Sequence, residues 1–315
     1  MPGITRQNID ELQLRSNEAV LDSNNAKWLH ETPSAAPMEE MQQRFRSDGY
    51  LLVKGLLPRQ DVLDFRAAYF KKMHPLQWCG DADEGQFVPG KRTPNSSPEA
   101  IQLTEQAHLM PEYLALSSHP ALLNFIASFE EWNDIVLLKR NMLRPSIPGD
   151  PATRECESDI LLTAAIHYDN IFLRGGDPTF LTAWVPLGDI DPRGGGLMYL
   201  EDSIDIAKEM EAKWQTEAQE LSDEERKSAF NVTMKEGAVC AKHVDEFGQQ
   251  CQRKWLVGGY EAGDVMFHNA FMIHASCTNQ DPKNKIRLAT DLRFCDGRGK
   301  VDQRWLNHWH SKDGL

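Results

Sequence analysis

This chain predicts a mainly β protein of the sandwich or barrel type with flanking helices, and three observations lead there. From Asp134 onward, short apolar runs alternate with turns containing Gly and Pro, the pattern of many short strands. Before Asp134, apolar residues recur at helical spacing between Pro and Gly punctuation. A charged, helix-favouring stretch at 204–236 interrupts the strand series.

Residues 1–37 are polar, with Asn and Ser clusters, and read as a loosely packed lead-in with at most one short helix. Residues 38–315 are then expected to form one domain. Met38 to Phe45 suits a helix that Ser47-Asp48-Gly49 ends, and Tyr50 to Val53 reads as a strand. Pro58 opens a helix to about Lys72, with Val62, Phe65, Ala68 and Tyr69 on one face. The stretch 79–100, rich in Gly, Asp, Pro and Ser, reads as a long loop. A further helical region spans Pro111 to Glu130, with a break at Pro120. Expected strands are Ile135–Leu138, Leu161–Ile166, Phe180–Val185, Leu197–Leu200, Val265–Phe267, Met272–Ile273 and Ile286–Leu292. The segment 204–236 is expected as a helical insertion packed on the outside of the barrel.

Composition narrows the partners. Hydrophobic content of 41% and charged content of 26% are ordinary for a globular chain. A net charge of −13 argues against nucleic acid, whose phosphates require a basic face. No run of some 18 apolar residues suggests a membrane span, and the first residues lack the apolar core of an export signal. The six cysteines (Cys79, Cys156, Cys240, Cys251, Cys277 and Cys295) form no CxxC pair and read as reduced thiols. The cytoplasm is the expected compartment. Arg6-Gln7 followed by Gln13-Leu14 loosely resembles an amino-terminal peroxisomal signal, a weak alternative in which Asp10 and Glu11 sit badly, and Ser311 to Leu315 is not the S-K-L type.

His167 and Asp169 follow an apolar run, two residues apart. An extended backbone sends alternate side chains to one face, so this imidazole and carboxylate can reach one point. His274, after the apolar Phe271-Met272-Ile273, can complete a two-histidine, one-carboxylate face on a metal ion, as in non-haem Fe(II) oxygenases. The competing patterns are weaker. His243-Val244-Asp245 sits in a polar stretch that reads as a hairpin tip, and His308 and His310 read as a solvated terminus. His268, six residues before His274, is expected to line the same region. A lone histidine is usually a hydrogen-bonded structural residue, and only the combination argues otherwise.

Arg287 lies thirteen residues after His274 in an apolar run, and Ser276 lies between them. A dicarboxylate needs a fixed guanidinium, which stays charged and offers paired donors, and a nearby hydroxyl can add a bond. Arg293, six residues further, is the rival for that role, and an ordinary ion-pair role for Arg287 stays open.

Together these motifs resemble the phytanoyl-CoA dioxygenase family of Fe(II)/2-oxoglutarate-dependent oxygenases. The resemblance runs from about Phe45-Arg46-Ser47-Asp48-Gly49-Tyr50 to about Phe294. It rests on that opening, the H-x-D pair, the Trp184 strand with its turn at Gly194-Gly195-Gly196, and Gly263-Asp264-Val265 followed by His274 and Arg287. The resemblance implies a double-stranded β-helix, a cupin-like jelly roll, with N-terminal helices. It implies His167, Asp169 and His274 as iron ligands and Arg287 as the 2-oxoglutarate anchor, with Trp184 and Ser276 lining the co-substrate pocket.

The resemblance also implies O2 as the oxidant, succinate and CO2 as co-products, and hydroxylation of an unactivated C–H as the usual outcome. Related halogenases replace the carboxylate ligand by a small residue, and the presence of Asp169 argues against that chemistry. Desaturation, ring closure and epimerisation remain open. The expected substrate is a small hydrophobic molecule, in the manner of secondary metabolism, since Trp78, Phe87 and Pro89 would suit an apolar ligand. Lys71, Lys72, Lys91 and Arg92 would instead serve an acyl-CoA. A non-catalytic jelly-roll binding protein is the reading from another class.

Overall fold

Residues 8–37 of the amino-terminal segment are folded into the body of the protein. The computed structural model describes residues 8–78, 85–89, 97–149, 166–222, 225, 240–241 and 243–311. It places a short helix α1 (Ile9–Leu12) and strands β1 (Leu14–Ser16), β2 (Ala19–Leu21), β3 (Ala26–Trp28) and β4 (Glu31–Pro33) where a loose lead-in was expected. Ile9, Leu12, Leu14, Leu21, Ala26 and Leu29 are buried. Strands of three residues are too short to display a period, so the polar residues between them dominated the composition.

The helices follow sequence punctuation closely. Helix α2 (Met38–Asp48) ends at Gly49, whose φ of +77° lets its N–H reach the Phe45 carbonyl. Strand β5 (Tyr50–Lys54) follows. Helix α3 (Arg59–Met73) begins behind Pro58 and buries Val62, Phe65, Tyr69 and Phe70, while Ala68 is half-buried. Helix α4 (Pro98–Ala107) occupies the end of the expected long loop, where the Ser97 hydroxyl accepts from the Ala100 N–H at 3.1 Å. Residues 79–84 and 90–96 of that loop lie outside the described residues. Helices α5 (Pro111–Ser117) and α6 (Pro120–Glu130) divide at Pro120, each with Pro at its start.

Apart from the β1-β2 pair, the described strands build the two sheets of the barrel. Strand β6 (Ile135–Ser146) is longer than the apolar run that announced it, and β7 (Leu181–Pro186) and β8 (Leu197–Leu200) fall as expected. Residues 161–165 of another expected strand lie outside the described residues. The later elements are α7 (Ile204–Ala218), α8 (Val244–Cys251), β9 (Trp255–Val257), β10 (Val265–Asn269), β11 (His274–Ser276) and β12 (Arg287–Asp296). The larger sheet runs β4-β5-β10-β7-β12-β6 and the smaller β11-β8-β9-β3. Only the strands from the amino-terminal segment, β3 and β4, pair in parallel; the other pairings among the described strands are antiparallel. This is the cupin-like jelly-roll arrangement.

Strict alternation decides what faces the barrel interior. In the larger sheet, Leu52, Trp184, Met266 and Ala289 point inward, where they meet Leu197, Tyr199 and Leu256 of the smaller sheet. Their neighbours Leu51, Val53, Ala183, Val185, Phe267, Leu288, Leu292 and Phe294 point outward and pack under helices α2 to α6. Across the smaller sheet, Met198, Leu200, Trp255 and Val257 face a second outer layer made with Ile9, Leu14, Leu21, Ala207 and Phe247. Helix α7 therefore lies on the outside of the barrel. Strands β5, β7, β8, β10 and β12 are buried on both faces, which is why they read as apolar runs. Among the described residues no helix is long and apolar enough to cross a membrane.

Candidate metal centre

Three side chains converge inside the barrel. Among the described residues, His167, Asp169 and His274 form one buried group that could hold a metal ion, with ligand atoms within 4.8 Å of one another. The backbones of His167 and His274 pair directly, each N–H donating to the other's carbonyl at 3.1 and 2.9 Å. Cross-strand neighbours project to the same face, and the two imidazole centroids are 4.3 Å apart. Tyr168 keeps an extended backbone (φ −121°, ψ 146°), so His167 and Asp169 point inward while Tyr168 points to the outer layer. Asp169 itself begins a single 3-10 turn rather than continuing a strand. Strand β11 likewise starts at His274, later than the expected Met272–Ile273.

The protonation of these groups follows from their partners. His274 Nδ1 lies 2.9 Å from the Met272 carbonyl, which can only accept, so the proton sits on Nδ1 and Nε2 keeps its lone pair for the site. Burial, reinforced by His167 and His268, holds the His274 pKa well below the ordinary range, so the ring is neutral. For Asp169, burial alone would raise the pKa. Arg293, together with His268 and His274, overcomes that and holds the carboxyl well below the usual carboxylate range.

Asp169 is fully partnered. Its Oδ2 accepts from Thr182 Oγ1 at 2.6 Å, His268 Nε2 at 3.2 Å and Arg293 Nε at 3.1 Å, while Oδ1 accepts from Arg293 Nη2 at 2.8 Å. Oδ1 also faces Nε2 of His167 and of His274, at 3.7 and 3.9 Å. An octahedral ion with bonds of about 2.1 Å separates neighbouring ligands by about 3 Å, so small side-chain shifts close this face on an ion. The donor set, two imidazoles and a charged carboxylate, fits iron.

Beside this cluster is a pocket lined by Arg144, Trp184, Leu197, Ser276, Arg287 and Asp291, with His167, His274 and Arg293. Arg287, Ala289, Asp291 and Arg293 are alternate residues of β12, so one face of that strand carries all of its inward charges. Arg287 Nε donates to the Gly195 carbonyl at 2.9 Å and Nη1 to the Arg144 carbonyl at 3.2 Å. No carboxylate among the described residues pairs with this buried guanidinium, and burial lowers its pKa to about 10. The Trp184 indole N–H, also buried, has no hydrogen-bond partner among the described residues. A buried cation and a buried free donor side by side suit a carboxylate, which fits 2-oxoglutarate.

The structure thus gathers all six residues singled out above: His167, Asp169, His274, Arg287, Ser276 and Trp184. Arg293, the rival anchor, is instead the charge partner of Asp169. His268 does reach the site, with Nε2 on Asp169 and Nδ1 accepting from the Tyr199 hydroxyl at 3.1 Å. His243 and Asp245 lie at the start of α8, not in a hairpin; Val244, Phe247 and Gly248 are buried at helical spacing, a signal the polar composition hid. Trp78 is wholly buried in the helix-side core instead of lining a binding surface. Thr182, Asp291 and Glu211 were not foreseen. The first two follow from the alternation of β7 and β12, whereas Glu211 is visible only in three dimensions.

Comparison with known proteins agrees. No curated protein matches the chain. Among solved structures, it resembles the non-haem alpha-ketoglutarate-dependent carbocyclase SnoK from nogalamycin biosynthesis at 16% identity and a TM-score of 0.51, over 91% of this chain and 92% of that one. It also resembles the epimerase SnoN, solved with Fe3+, alpha-ketoglutarate and nogalamycin RO, at 18% identity and a TM-score of 0.49, over 84% and 85% of the two chains. At 16% identity the likeness to SnoK concerns the fold alone. The sequence match is more specific: residues 45–288 match the phytanoyl-CoA dioxygenase (PhyH) family. That span covers most of the barrel and both histidines and the aspartate at its centre, and the chain belongs to the phytanoyl-CoA dioxygenase family of iron- and 2-oxoglutarate-dependent enzymes.

Proposed function

We propose that this enzyme oxidises an unactivated C–H bond of a small hydrophobic metabolite, most simply by hydroxylation, with release of succinate and CO2. The observation that carries the reading is the convergence of His167, Asp169 and His274 beside a buried guanidinium, Arg287, that has no carboxylate partner among the described residues. His167, Asp169 and His274 would hold Fe(II) through one face. Arg287 would anchor the far carboxylate of 2-oxoglutarate, with Ser276 and Trp184 lining that end of the pocket. Iron, 2-oxoglutarate and O2 together supply the oxidising power.

The protein's own contribution is preorganisation. Met272 fixes the His274 tautomer, and Thr182, His268 and Arg293 fix the Asp169 carboxylate in its charged form. Gly195 and Arg144 aim the Arg287 fork through their carbonyls. Trp184, Leu197 and Tyr199, all buried, exclude water from the interior.

The pocket's charges favour an uncharged substrate over a CoA thioester. Arg293 is paired with Asp169 and Arg144 with Asp291, and Arg287 is assigned to the co-substrate, so no described lining cation is left for a phosphate. Lys72 donates to Gln106 on the surface, and Lys91 and Arg92 lie outside the described residues. The test is succinate release from a panel of apolar metabolites and acyl-CoA thioesters with Fe(II), 2-oxoglutarate and O2. An apolar free molecule is expected to raise succinate above the uncoupled background; coupled turnover of thioesters alone would overturn the substrate assignment.

A further inference from the structure

Not every charge beside the metal centre favours a metal ion. Among the described residues, the guanidiniums of Arg144, Arg287 and Arg293 gather around the carboxylates of Asp169 and Asp291. Arg293 contributes most directly. It bonds both oxygens of Asp169, and Nη2 lies 2.8 Å from Oδ1, the oxygen that faces His167 and His274. Its side chain is 4% exposed, so solvent screens it little. The guanidinium lies 5.1 Å from the Trp305 ring, which holds it in place. Both Arg293 and Trp305 lie beyond the stretch that matches the family.

We propose that Arg293 is a tethered counter-cation that weakens the hold on a divalent metal until a dianionic oxo acid is also present. The proposal rests on His167, Asp169 and His274 being the metal ligands. Asp169 keeps two other donors, Thr182 and His268, so its position does not depend on Arg293 alone. The main effect of the guanidinium on a bound dication is therefore repulsion, large in a buried site. A dianion offsets that repulsion. By linkage, each ligand then tightens the other by the same factor.

Binding of Mn(II) to the purified full chain, measured anaerobically by calorimetry with and without 2-oxoglutarate, tests this. In the native protein 2-oxoglutarate is expected to tighten Mn(II) roughly tenfold or more. Arg293→Gln is expected to bind Mn(II) alone roughly tenfold more tightly than native, and to gain less from 2-oxoglutarate. Arg293→Lys keeps the charge and should bind as native does, which reads the proposal even if Arg293→Gln does not fold. Thr182→Val, which removes a neutral donor, should weaken Mn(II) and leave the coupling intact. If Arg293→Gln binds Mn(II) no better than native, or Arg293→Lys loses affinity as Thr182→Val does, Arg293 is a positioning group and the proposal fails. If native protein binds no Mn(II) even with 2-oxoglutarate, it is the ligand assignment that fails.

Discussion

The Glu211 carboxylate on α7 accepts a hydrogen bond from the Tyr168 hydroxyl at 2.9 Å. Tyr168 stands between His167 and Asp169, so a helix on the outside of the barrel holds the segment that carries two of the three central residues. The same carboxylate pairs with Arg174 at 2.8 Å, and Arg174 lies 3.7 Å from the Trp214 ring, one turn further along α7. With side chains 4% and 9% exposed, the Arg174–Glu211 pair is buried. Glu211→Ala leaves that guanidinium without its carboxylate, and an expected loss of about 3–5 kcal/mol should appear in urea unfolding. Glu211→Gln, which keeps hydrogen-bonding capacity, should lose less.

Removing Arg287 should separate co-substrate from metal. Its fork is held by carbonyls and has no carboxylate partner among the described residues. Arg287→Ala is expected to raise the 2-oxoglutarate concentration for half-maximal succinate formation by roughly tenfold or more. Mn(II) affinity measured without the oxo acid should not weaken. A loss of metal binding would place Arg287 in a different role.

Gly195 sets the aim of Arg287. Its φ of +78° favours glycine, and a Cβ there would lie 3.0 Å from the Asn279 side chain and 3.1 Å from its backbone. Its carbonyl accepts from Arg287 Nε. Gly195→Ala is expected to cost about 1–3 kcal/mol in urea unfolding and to raise the 2-oxoglutarate requirement, since the carbonyl must move.

His108 should make the fold acid-sensitive. Its Nδ1–H donates to the Thr104 carbonyl at 2.7 Å and Nε2 accepts from the Leu143 N–H at 3.0 Å, so the ring is held neutral. Burial lowers its pKa from 6.5 to about 4. The unfolded chain therefore binds the proton more readily between those values. The contribution of His108 is complete above pH 6.5 and lost as pH falls towards about 4, up to about 3 kcal/mol. Urea midpoints at pH 7 and pH 4.5 should differ less in His108→Asn than in the native protein.

Much of the fold was legible because its central strands are buried on both sides. Apolar runs marked β7, β8, β10 and β12, and Pro58, Gly49 and Pro120 marked helix boundaries. The amino-terminal strands were not legible, because three residues carry no period and their pairing partners lie far away in sequence. The inner face of β12 shows how site residues can be read and misread. Arg287 and Arg293 share that face by simple alternation, so both were candidates for one role. Only the position of Asp169 against Arg293 separates them. Glu211 left no local trace, since its partners Tyr168 and Arg174 belong to another segment.

Anaerobic addition of Fe(II) and then 2-oxoglutarate to the purified protein tests the central claim most directly. The native chain should develop a weak visible charge-transfer absorption, and His167→Ala, Asp169→Ala and His274→Ala should each lose both that band and succinate formation. A native protein that shows no band, or a band that survives all three substitutions, would contradict the account.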